Sequence, residues 1–177
     1  LYNVIDRVYI GRIPEISTLA MGGLGLCLPL ISIIIAFANL FGMGGSPLCS
    51  IARGQGKNDE AEEIMGNSFS LLVIFGILLT VIVFVLKEDL LWLFGASKDT
   101  IVYANDYMTI YLFGTIFVLI SLGMNSFINS QGFAKIGMCT VLIGAILNIV
   151  LDPIFIFTFE LGVKGAAIAT VISQFIS

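Results

Sequence analysis

Asp152 stands in the run NIVLDPIF, about two helical turns or more from either end of the apolar block Ile136–Phe159. Asn148 lies four residues earlier and therefore shares a helical face with it. Pro153 has no amide proton to donate, which leaves the Ile149 carbonyl without its helical partner. A carboxylate, an amide oxygen and a loosened backbone at one depth are hard oxygen ligands. They suit Na⁺, or a carboxyl that takes up and releases a proton. Asp6, in LYNVIDRVYIG, is a second acid of this kind, with Asn3 one turn before it. The plain alternative is a polar cluster that ties helices together. An amide alone would serve that purpose, whereas a carboxylate at depth costs far more to desolvate. Asp152 therefore reads as a cation site. Position alone leaves Asp6, beside Arg7, open between the two readings.

Other chemistries are poorly supplied. The chain has no histidine, which removes histidine-based catalysis and His-containing metal sites. Cys27, Cys49 and Cys139 are widely spaced within apolar blocks and read as small buried side chains, not as a disulfide or metal framework. GMGGSP at 42–47 resembles a phosphate loop only superficially, because no Lys-Ser/Thr follows it and no strand precedes it. Its glycines fit close helix crossings better. With a net charge of −4 and no basic tract, a nucleic-acid partner is not expected. Phe113, Phe117, Met124 and Phe127 read as packing, with the lining of a cavity for an apolar cation as the functional alternative.

The elements that must hold these residues are spanning helices. Hydrophobic residues make up 58% of the 177-residue chain and charged residues 11%, against roughly 25% charged in a soluble domain. No Lys, Arg, Asp or Glu occurs in Ile16–Ala52, Ile64–Leu86 or Tyr107–Ala134. Each block is long enough for the roughly 20 residues a membrane crossing needs. The fold class is therefore all-α, a polytopic transmembrane helical bundle. Residues 1–13 read as the end of a first span, followed by a turn at Pro14, Glu15 and Ser17. Further helices are expected over about 20–51, 62–86, 101–130 and 136–159, with another starting near Gly165. KEDLLWLFGASKD reads as an interfacial loop carrying Trp92. The chain begins at Leu1 and ends in an apolar run, so a segment of a longer chain is expected, with no signal-peptide pattern. Arg53, Lys57 and Lys135 fall on one membrane face, and Arg7, Arg12, Lys87, Lys98 and Lys164 on the other. The positive-inside rule would place the second group in the cytoplasm.

Five segments in order resemble the multidrug and toxic compound extrusion (MATE) transporters, DinF-like members in particular: YNVIDRVYIG, ARGQGKNDEAEE, NSQGFAK, NIVLDPIFIF and GVKGAAIATVISQ. The resemblance implies a twelve-helix protein of two six-helix lobes. Residues 1–177 would form the N-terminal lobe, truncated at both ends, from the end of helix one to the start of helix six. It implies a cation-coupling site for H⁺ or Na⁺ at Asp6, Asn148, Asp152 and Thr170, and a membrane orientation opposite to the charge rule. It also implies secondary active efflux by antiport of lipophilic or cationic compounds, in the inner or plasma membrane, with no cofactor beyond the coupling ion. The partners would be the bilayer and a missing C-terminal lobe. An enzymatic role is not expected. A flippase for lipid-linked oligosaccharide is the nearest rival, but its cavity should hold basic residues and no complete apolar block here contains Lys or Arg. A non-transporting scaffold subunit is the rival of another class, and it would tolerate Asp152→Asn.

Overall fold

The structure, a computed structural model, describes residues 2–13 and 17–177. Pro14 and Glu15 of the expected first turn lie outside the described residues. The helices are α1 (Tyr2–Ile10), α2 (Ser17–Gly54), α3 (Asn58–Leu93), α4 (Ile101–Phe113), α5 (Thr115–Ser130), α6 (Ala134–Pro153) and α7 (Gly162–Ile176). A π-helical turn, Ile154–Thr158, continues α6.

Three of these helices are long and apolar enough to cross a membrane, or four if α4 and α5 count as one bent span. α2 has 38 residues and therefore runs about 57 Å at 1.5 Å per residue, well beyond a roughly 30 Å apolar core. Outward faces are greasy: Ile74, Ile77, Val81 and Val85, three or four residues apart on α3, are each more than half exposed. Polar groups turn inward, with Asp6, Asn148, Asp152 and Ser173 fully buried. That inversion fits lipid as the surrounding solvent.

Glycines set the closest crossings. A Cβ on Gly42 would lie 2.6 Å from the Gly123 carbonyl oxygen, so α2 and α5 meet backbone to backbone. Leu72 of α3 closes over Gly123 from the other side. α2, α3 and α5 thus form one packed group, while α7 packs on α4, α6 and the π-helical turn. α1 lies against α6 and α7 and, less extensively, α2.

Two elements differ from the sequence expectation. α3 does not stop at Leu86 but runs to Leu93, because KEDLLWL contains no helix breaker. Gly95 ends it, with φ +96°, a left-handed turn that favours glycine. The block 101–130 is not one straight helix: α4 and α5 meet at a 59° bend. Gly114 sits at the break, where a Cβ would lie 2.5 Å from Val171 Cγ2 of α7. Its amide bonds back three residues to the Tyr111 carbonyl at 2.9 Å, tightening the last turn of α4.

Candidate cation site

Four elements converge on one buried point. α1 buries only Asp6 and Ile10, four residues apart on its inner face. α6 buries Gly144, Ala145, Asn148 and Asp152, again one helical face. α7 is admitted close by its small residues. Gly165, Ala166, Ala167 and Ala169 are buried, and a Cβ on Gly165 would fall 2.6 Å from the Phe155 backbone. That approach carries Thr170, Ser173 and Gln174 inward. α4 contributes Tyr107, fully buried and stacked on Tyr111 at 5.9 Å.

The four residues singled out in the sequence lie together. Thr170 Oγ1 is 2.9 Å from Asp6 Oδ1 and 3.0 Å from Oδ2, so its single proton serves one oxygen at a time. The Asn148 amide nitrogen faces Asp152 Oδ1 at 3.0 Å, Thr170 Oγ1 at 3.2 Å and Asp6 Oδ1 at 3.4 Å. It has two protons for these three acceptors, and the arm to Asp6 is the longest. Asn148 Oδ1 and Asp152 Oδ2 are buried with no hydrogen-bond partner among the described residues.

The donors around the acids are all neutral: a tyrosine, a threonine and an asparagine. Two carboxylates therefore sit out of water with no basic side chain among their hydrogen-bond partners. Buried negative charge of this kind calls for a proton or a bound cation. The two orphaned acceptor oxygens, one carboxylate and one amide, are of the type that an alkali cation takes. Their donor set fits either ion.

Two residues, one in the cluster and one beside it, escaped sequence reasoning. Tyr107 Oη donates to Asp6 Oδ2 at 2.6 Å and reaches Asn3 Oδ1 at 3.5 Å. The available signal was general: a tyrosine hydroxyl inside an apolar bundle needs a partner. Tyr9 is the second. The Ile149 carbonyl that Pro153 deprives of a donor is not free, because Tyr9 Oη donates to it at 3.2 Å. The expected backbone ligand thus already accepts one hydrogen bond, while the hydrogen bonds around the two acids come from side chains.

A groove of about 360 Å³ opens near the end of α7, lined by Phe117, Met124, Asn125, Thr140 and Gln174 among others. A smaller cavity of about 160 Å³ shares Gln174 with it and reaches Asn3 and Thr170. Gln174, 6% exposed, leaves its Oε1 without a partner among the described residues. Of the four residues read as packing or cavity lining, Phe117 and Met124 line the groove. Phe127 is fully buried in a separate cluster with Cys49, Ala52 and Ala61, and Phe113 is largely exposed. Cys27 and Cys49 are buried as expected, but Cys139 is exposed on the outside of α6.

A family model described as MatE matches residues 1–154. The chain belongs to the MatE family. It is 31% identical over 179 residues to the multidrug export protein MepA of Staphylococcus haemolyticus, covering 100% of this chain and 39% of that protein. A crystal structure of MATE in the bent conformation superposes with a TM-score of 0.94 at 30% identity, over 99% of this chain and 39% of that one. The inward-facing conformation of a multidrug resistance MATE family transporter of the MOP superfamily gives 0.92, again at 30% identity and with the same coverage. The chain thus spans about 39% of the length of the relatives it matches. These relatives are transporters set in membranes, and the apolar helices here fit the same multi-pass architecture.

Proposed function

We propose that residues 1–177 are the N-terminal lobe of a secondary active multidrug exporter, working with a C-terminal lobe of the same chain in the cell membrane. Lipophilic or cationic compounds leave as H⁺ or Na⁺ enters. Asp6, Asn148, Asp152 and Thr170 hold the coupling ion, and Tyr107 orients Asp6. The observation that carries this reading is the pairing of two fully buried acids from α1 and α6 with only neutral donors around them. Neutralising them removes the charge penalty that separates one packing of the lobe from another. The ion gradient can then bias which conformation is populated. The groove beside Gln174, apolar with a few amide and hydroxyl groups and no basic side chain, suits a greasy cation better than a pyrophosphate. The flippase reading is not favoured on that ground, and a scaffold has no use for the two acids.

The test uses the full-length protein in proteoliposomes, with a pH gradient and a Na⁺ gradient imposed separately and a fluorescent lipophilic cation as reporter. One gradient is expected to drive dye movement, and Asp152→Asn to abolish it. Movement that survives this substitution would remove the coupling site from this lobe.

A further inference from the structure

We infer that Tyr9 is a positioning residue for the carboxylate pair: its hydroxyl fixes the register of α1 against α6 by capping the Ile149 carbonyl that Pro153 leaves without a donor. The inference rests on the cation-site reading above and assigns a residue that lies outside that site.

Within α6 the Ile149 carbonyl would ordinarily accept from the amide of residue 153, which proline lacks. A carbonyl left open at this depth is costly in an apolar surrounding. Tyr9 Oη meets it at 3.2 Å. Tyr9 follows Asp6 by three residues on α1, and Ile149 directly follows Asn148 on α6. Two side-chain hydrogen bonds join these helices among the described residues: Asn148 to Asp6 and Tyr9 to Ile149. They lie about one turn apart on α1 and spring from adjacent residues on α6. The first is 3.4 Å long, the weakest of three bids for the Asn148 amide. A small slip of α1 therefore costs Asp6 that contact before it costs Asp152 its own.

The removal of one hydroxyl should weaken ion binding while the chemistry of the site stays intact. In proteoliposomes of the full-length protein, dye efflux would be followed against Na⁺ concentration at fixed pH and against pH at fixed Na⁺. Tyr9→Phe is expected to raise the half-saturating concentration of the coupling ion about three- to tenfold, the effect of losing one such hydrogen bond. The maximal rate should stay within about twofold. Pro153→Ala supplies the missing amide, so in that background Tyr9→Phe should shift nothing further. An unchanged half-saturation in Tyr9→Phe, or a fall confined to the maximal rate, overturns the inference. Asp152→Asn runs alongside. If that variant still transports, the cation-site reading fails. If it is dead while Tyr9→Phe keeps its ion dependence, only the role of Tyr9 fails.

Discussion

Thr170 accepts from the Asn148 amide and donates to Asp6, which makes it the bridge between the α6 and α1 halves of the site. Thr170→Ser keeps the hydroxyl and should leave ion dependence within about twofold of the parent. Thr170→Val keeps the volume and strands both neighbours, an expected loss of about 1–3 kcal/mol in ion binding. Isothermal or transport-based titration of the pair decides this, and a Val variant that binds the ion as tightly as the Ser variant would mean that the hydroxyl is dispensable. Asp152 and Asn148 were legible from the chain because a carboxylate four residues from an amide deep in an apolar run has few structural uses. Asp6 and Thr170 were not legible on local grounds. Thr170 in GAAIATV looks like packing until α7 is laid against α1, and that approach depends on Gly165 meeting the Phe155 backbone. Tyr9 was half legible: proline announces the orphaned carbonyl, but only the fold reveals which helix supplies the donor.

Among the helices, the α2–α5 crossing leaves no room for a side chain. A Cβ at Gly42 would meet three backbone atoms of Gly123, the nearest at 2.6 Å, and backbone cannot rotate aside. Gly42→Ala should therefore cost about 1–3 kcal/mol through overpacking. Gly44, two residues on, has no atom within 4 Å of its absent Cβ. Gly44→Ala should be neutral or stabilise by about 0.5–1 kcal/mol, since alanine is the better helix former. Thermal unfolding of the purified protein in detergent compares them directly, and similar midpoints for both would contradict the crossing described here. The sequence marks both glycines equally, so this distinction belongs to the packing. Charge-free length announced α2, most of α3 and the bent α4–α5 span, because lipid demands it. The bend at Gly114 went unread for the converse reason: the side chain packed over the break, Val171, lies 57 residues further along the chain, and no local signal carries that.

Taken as a whole, the bundle sorts its turns onto two ends. The α2–α3 and α5–α6 turns share one end, and the α3–α4 and α6–α7 connections share the other, where Lys164 pairs with Asp106 at 3.4 Å. In a protein cleared of Cys27, Cys49 and Cys139, cysteines placed at Lys57 and Lys135 should react with an impermeant maleimide from one side of the membrane. Cysteines at Lys98 and Lys164 should react from the other. Any mixed pairing would contradict this topology. The same labels decide orientation, since the charge rule puts Lys98 and Lys164 in the cytoplasm and the family resemblance puts them outside. The length of α2 and α3 carries a further consequence. Even a steep tilt leaves part of a helix of about 57 Å outside the apolar slab, and the polar run from Arg53 to Glu63 caps that protrusion, mostly exposed, around a left-handed Gly56 with φ +76°. A rigid two-helix stalk that ends in a tolerant tip is a natural mount for a grafted fiducial domain, which would give a small, featureless membrane particle an asymmetric landmark for image alignment.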